Sequence, residues 1–252
     1  MMTNTVLRGA IWAVATWTAI ACVGAGAARA QGVTVAAAGH PITGAPYSSV
    51  MEERHTQTLA NGTHIDLVTS VTKQYRDAQG RIRQEHYSVR DGETAQTPFM
   101  IEIIDPVTGV RYILNPKLQK AESYPLSVGG GQGVVSSSER GAPVVVNGPV
   151  SSTNSSEHPE VTQEQLGTDS MLGVEVTGRR TTSVFPVGSR GNDQPITMTI
   201  ESWRSNELHI EMLRRQDDPL VGSIEWRVTQ IDRTEPDASL FQVPPDYTIE
   251  NR

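Results

Sequence analysis

Apolar and polar residues alternate along most of this chain, in short runs closed by turn dipeptides. Residues 223–233 show it most cleanly: Ile224, Trp226 and Val228 fall on one side, and Glu225, Arg227 and Thr229 on the other. A period of two is the mark of a strand with one dry and one wet face. Leu208, Ile210 and Met212 alternate in the same way with His209 and Glu211. Over 196–204 both sides carry apolar bulk, because Ile200 does not share a side with Trp203. Further runs rich in Val, Ile, Thr and Tyr predict strands over 56–60, 63–76, 81–90, 99–104, 110–114 and 118–123, and again over 167–172, 174–185 and 208–215. Residues 47–55 read as a strand as well.

The turns between these runs have a chemistry of their own. Asn61-Gly62 predicts a hairpin turn with both residues at positive φ. Asp77–Gly80, Asp91-Gly92, Asp105-Pro106, Thr108-Gly109, Asn115-Pro116, Ser205-Asn206 and Asp217-Asp218-Pro219 mark the others. Connections this tight make neighbours in sequence neighbours in space, so the expected topology is a meander. Helical patterning is sparse. Pro159 leads into a short helix expected over 161–166, and Pro236 into a single helical turn at Asp237–Phe241, with Phe241 as an apolar plug.

Two stretches break the pattern. Residues 126–160 carry Gly129-Gly130-Gly131, Ser136-Ser137-Ser138 and Ser151-Ser152 without one aromatic residue, so little apolar surface offsets the entropy of ordering them. They are expected to be a flexible insertion, with short strands at Val134-Val135 and Val144–Val146. Residues 1–30 have the three-part layout of a secretory signal peptide: a lightly basic start with Arg8, an apolar stretch over 9–23, and Ala28-Arg29-Ala30 before Gln31. The apolar stretch is shorter than the ~20 residues that span a bilayer. An uncleaved anchor and a lipidated Cys22 are the alternatives to cleavage after Ala30. Residues 31–46, rich in Ala, Gly and Pro, are expected to be a flexible leader, and 47–250 one β domain.

Composition narrows the function classes. Cys22 is the only cysteine, so a chain cleaved after Ala30 has no disulfide. Cleavage removes Arg8 and Arg29 and no acid, which takes the formal net charge from −7 to −9. An acidic chain of this kind speaks against a nucleic-acid partner. No His-Glu-x-x-His or Gly-x-Ser-x-Gly motif occurs, and Gly129–Gly133 is not followed by Lys-Ser/Thr. The six histidines are scattered, with His64 and His86 the one pair expected to meet across adjacent strands. No enzyme activity, cofactor, metal site or catalytic residue is therefore expected. Arg179-Arg180 and Arg214-Arg215 are the basic spots, read as solubilising strand ends or as contacts to an anionic partner.

Three segments carry a resemblance: the connection Tyr75-Arg76-Asp77-Ala78-Gln79-Gly80-Arg81-Ile82-Arg83, then Asp105-Pro106-Val107-Thr108-Gly109-Val110, and the ending Phe241-Gln242-Val243-Pro244-Pro245-Asp246-Tyr247. Behind a signal peptide and a meander of long amphipathic strands, they resemble uncharacterised secreted bacterial proteins. More distantly they are similar to the LolA/LolB/RseB-like superfamily of periplasmic lipoprotein carriers and sensors. The resemblance implies a mainly β fold, a single strongly curved antiparallel sheet (an incomplete barrel) of roughly ten strands with few short helices. It also implies a periplasmic location, outer-membrane-anchored if Cys22 is lipidated, and a lipid or a lipoprotein acyl chain as ligand in a concave apolar groove. Ile101, Ile103, Tyr112, Leu114, Trp203, Ile224, Trp226 and Val228 are the groove candidates, from their place on strands of alternating or two-sided character. The alternative is an envelope structural or interaction module with a filled core. Either protein is expected to be a monomer that touches the membrane transiently or through its N-terminus.

Overall fold

The computed structural model describes residues 41–126 and 158–252. Residues 1–30 with Cys22, the leader up to residue 40, and the expected strands at Val134-Val135 and Val144–Val146 lie outside the described residues. The chain forms β1 (Tyr47–Thr58), β2 (His64–Arg76), β3 (Ile82–Arg90), β4 (Glu93–Thr94), β5 (Met100–Asp105), β6 (Val110–Asn115) and β7 (Lys120–Pro125). After residue 157 come β8 (Glu160–Met171), β9 (Val174–Phe185), β10 (Ile196–Ser205), β11 (Ile210–Asp218), β12 (Gly222–Asp232), a 3-10 turn at Ala238–Phe241 and β13 (Thr248–Asn251). All belong to one sheet in the order β13-β7-β6-β5-β3-β2-β1-β12-β11-β10-β9-β8, with β4 paired to β3 alone. The end strands β13 and β8 do not meet, so the sheet is open. Neighbouring strands are antiparallel except β13, which runs parallel to β7.

Two meanders make this sheet, β1–β7 and β8–β12. They adjoin where β1 pairs with β12, from Ser48↔Asp232 to Thr56↔Ser223, and not where the sequence joins them. The segment after β7 re-enters at β8, the opposite edge. Both ends of the expected 126–160 insertion lie among the described residues. The Leu126 N–H donates to Gly109 O, and Glu160 already begins β8.

Residues 161–166, expected as a helix, are part of β8. There Val161, Thr162 and Glu164 pair with Ser183, Thr182 and Arg180 of β9, and cross-strand partners outweigh a helix-start signal from one proline. Asn61-Gly62 also departs from expectation. Gly62 alone takes positive φ (81°), while the Asn61 side chain accepts the Thr63 N–H in a longer loop. Turns with two residues at positive φ occur instead at Asp91-Gly92 (53° and 79°) and Leu172-Gly173 (53° and 78°). The one helical turn appears as expected, started by Asp237, whose carboxylate accepts the Ser239 N–H, and plugged by buried Phe241.

The end of the leader is part of the folded structure. Ala45 O accepts from Nε and Nη2 of buried Arg76 at 3.0 and 2.7 Å, and the Gly44 N–H donates to Ala78 O. Arg76 also lies 4.7 Å over the Tyr47 ring. Pro41 and Ile42 come close enough to Gly80 that a Cβ there would stand 3.0 Å from Ile42 O. The core divides into two clusters. One holds Ile101, Ile103, Leu114 and Ala121, with Tyr112, Val243 and Tyr247 around them. The other holds Val174, Val176, Leu208, Met212 and Val228, with Ala45, Met51 and Trp203 packed against it.

Candidate functional site

Residues paired across strands share a face, so the register defines two faces of the sheet. On the first face of the β1–β7 meander, Arg83 pairs with Ile103, Ile103 with Tyr112, and Ile101 with Leu114. The chain covers this apolar strip itself. Leaving β12, residues 233–247 cross β3 and β5 as a strap, and β13 then runs down beside β7. The strap is fastened at several points. Glu235 accepts the Ala78 N–H, Arg83 Nη1 donates to Leu240 O at 3.0 Å, and Arg81 lies over the Phe241 ring at 5.1 Å. Asp246 accepts from the Gln119 side chain beyond that. Arg83 and Tyr87 both bond the Glu85 carboxylate, which keeps the buried polar groups under the strap satisfied.

The same face of the β8–β12 meander is charged. Arg180 bridges Glu164 at 3.3 Å and Glu201 at 3.0 Å. Glu201 pairs with Arg215 in the register, and Glu225 bridges Arg215 and Arg227 at 2.5 and 2.7 Å. Arg54 stands opposite Glu225 and bridges Asp66 at 2.9 Å, which carries the alternating row on to β1 and β2. Within this row hydrogen bonds hold two carboxyls below their usual range: Glu201 through Trp203 first and then Arg180, Glu225 through Arg227 first and then Arg215. Between strap and row lies a depression of ≈ 190 Å³ lined by Ser48, Val50, Lys73, Tyr75, Gln230 and Asp232 among others. It is smaller than the ~300 Å³ at which small-molecule pockets begin.

The opposite face of the β8–β12 meander differs again. Ile200 pairs with Gln216, Gln216 with Ile224, and Ile224 with His55. Met198 lies two residues along from Ile200, and Trp226 two along from Ile224. Ile196 and Phe185 face each other at the end of β9 and β10. Apart from Trp226, which is 7 % exposed, these apolar side chains are only half buried. Among the described residues no helix covers them, since the one helical turn packs on β3 and β5. Trp226 is fixed in place: its Nε1 donates to Glu53, and the Arg214 guanidinium lies 5.7 Å from its ring.

The eight groove candidates do not converge. Ile101, Ile103, Tyr112 and Leu114 form one strip beneath the strap. Trp203 lies on the charged face, over Gly178 and bonded to Glu201, and Val228 sits in the second core cluster. Ile224 and Trp226 alone reach the half-open apolar face. Their neighbours there, Met198 and Ile200, were missed, although the two-sided character of 196–204 was the signal. The basic pairs divide likewise, because adjacent strand residues point to opposite faces. Arg180 and Arg215 join the charged row, while Arg179 and Arg214 lie on the apolar face. His64 and His86 stay apart, paired with Thr58 and Thr72, and burial holds His86 below its usual range. No group of three metal-binding side chains gathers among the described residues. No helix among them is long and apolar enough to cross a membrane.

No family model matches the sequence, and no curated protein matches it significantly. Solved structures are similar at low identity. An uncharacterised conserved protein from Thermus thermophilus aligns over 82 % of this chain and 91 % of its own, with 9 % identity and a TM-score of 0.42. A LolA-superfamily protein from Nitrosomonas europaea aligns over 79 % and 90 %, with 9 % identity and a TM-score of 0.32. MucB, in the Pseudomonas aeruginosa MucA/MucB complex, aligns over 81 % of this chain at 10 % identity and a TM-score of 0.39, and this chain spans 58 % of that one.

Proposed function

We propose that this is a non-enzymatic exported protein that holds a lipid or a lipoprotein acyl chain on the half-open apolar face of the β8–β12 meander. The observation that carries the reading is a contrast in cover. The apolar strip of the β1–β7 meander is covered by Val243 and Tyr247 of the strap, whereas Met198, Ile200 and Ile224 have no such cover among the described residues. Burying an acyl chain there is favourable by ~0.8 kcal/mol per CH₂ removed from water. The half-buried row also sits on strands, which hold a binding surface more firmly than loops do.

Titration with a fluorescent acyl probe tests the reading. Saturable binding is expected for the native chain and for Ile200→Leu, with a loss of about tenfold or more for Ile200→Asp, as one charge on an acyl contact imposes. Absence of saturable binding by the native chain contradicts it. The second reading, an envelope interaction module with a filled core, draws on the two clusters already packed with the chain's own side chains. It predicts that no probe binds.

A further inference from the structure

The basic residues of the apolar face are arranged unlike those of the charged row. Arg179 and Arg214 flank Ser202, each as its direct cross-strand partner. Arg204 follows two residues along β10, opposite Glu211. With strands ~4.8 Å apart, the three guanidinium stems rise from a patch two strand spacings wide. Among the described residues none of the three has an ion-pair partner, while Arg54, Arg180, Arg215 and Arg227 all do. Arg214 Nε is buried and has no hydrogen-bond acceptor among the described residues. Glu211, the carboxyl opposite Arg204, bonds none of them among the described residues. Burial holds it above the usual carboxylate range in spite of the neighbouring arginines.

A buried guanidinium donor without an acceptor is costly, and native structures seldom leave one. Here Arg214 is such a cation, and with the exposed Arg179 and Arg204 it borders the apolar row: Arg214 lies over Trp226, and Trp226 is two residues from Ile224. An acyl chain laid along Met198, Ile200 and Ile224 would bring its head to Ser202 and the three arginines. We infer that Arg179, Arg204 and Arg214 form a headgroup site, and that the ligand is an anionic amphiphile whose phosphate or carboxylate they bind while its chain lies on the apolar row. This rests on the acyl-binding reading above and names the ligand class for it. Arginine forks suit both oxyanions, since each accepts two parallel N–H bonds.

The test compares three twelve-carbon ligands on the full chain by calorimetry: dodecyl phosphate, laurate, and the uncharged dodecyl maltoside. The account predicts that dodecyl phosphate or laurate binds about tenfold or more tighter than the maltoside, as one charge-assisted fork supplies. Whichever of the two leads identifies the headgroup. Arg179→Gln, at an exposed position, should remove most of that preference and leave maltoside binding unchanged. Arg214→Gln should do the same, with thermal melting as the check that the chain still folds. Equal binding of all three by the native chain overturns the headgroup site and leaves the acyl reading standing. Binding of none overturns both. A preference that survives both substitutions also overturns it, by placing the charge elsewhere.

Discussion

The two meanders of this sheet solve the same problem in opposite ways. Each has an apolar strip that water would penalise. In β1–β7 the strip is covered by Val243 and Tyr247 of the strap, and Ile103 and Leu114 end fully buried. In β8–β12 Val174, Val176, Leu208 and Met212 are buried as well, but beside them the corresponding face carries an alternating row of Glu and Arg, and Met198, Ile200 and Ile224 lie half buried on the opposite face with no covering element among the described residues. A covered strip contributes stability and a half-open one keeps surface for a partner. This difference separates core from candidate site more sharply than hydrophobicity does, because Ile103 and Ile200 are the same residue type in the same kind of strand.

Charge substitutions should break that comparison most visibly. Ile103→Asp buries an unpaired carboxylate and should cost about 3–5 kcal/mol, read as a shift of the urea midpoint. Ile200→Asp, on the half-open face, should cost about 1 kcal/mol or less. Equal losses would mean that both strips are core. Next in size is Gly178→Ala. Its Cβ would meet the Trp203 ring at 2.7 Å, and overpacking of this kind costs about 1–3 kcal/mol. Melting of the Gly178→Ala, Trp203→Phe double variant shows whether the indole is the obstacle, since the smaller ring should recover part of the loss.

The charged row and Glu211 make a pair of smaller predictions with opposite signs. Glu225 is held below its unfolded pKa by Arg227 and Arg215. Its contribution is therefore present above the unfolded value and is lost as pH falls through the folded one. Glu225→Gln should cost about 0.5–1 kcal/mol at neutral pH and flatten the acid limb of the stability curve. Glu211 is raised by burial, against Arg214, Arg204 and Arg179. It favours the fold when protonated, and that advantage is lost as pH rises from the unfolded pKa through the folded one. Glu211→Gln should therefore make stability less dependent on pH across that window. The smallest effect concerns His209, which sits at positive φ (54°) in the β10–β11 turn. His209→Gly should stabilise by some tenths of a kcal/mol, visible as a small rise in melting temperature.

Much of the local structure was legible in the sequence. The alternation of 223–233 placed Ile224 and Trp226 on one face, and Asp237 before Ala238–Phe241 announced the single helical turn. These signals are local, so a reader of residues recovers them. The lateral joint of β1 to β12 was not legible, because nothing in 47–58 names 222–232 as its partner. The irregularities at Val50/Met51 and Trp203/Arg204 were hidden as well. Alternation within one strand also leaves open which of its faces aligns with which face of the next strand, so groove candidates chosen by alternation alone divided between faces. The strap was half visible. The ending from Phe241 to Tyr247 stood out as a motif, but its place on Ile101 and Ile103 follows only from the three-dimensional path of the chain.

The central claim is that ligand meets the face of Trp226 and not the face of Trp203. The chain has four tryptophans, and replacing Trp12 and Trp17 by Phe leaves those two as reporters on opposite faces. A fatty acyl ligand carrying a nitroxide quenches an indole only at short range. In this background the account predicts saturable quenching when Trp226 is the sole tryptophan and little when Trp203 is. Strong quenching of Trp203 with Trp226 unaffected, or no quenching of either, would contradict it.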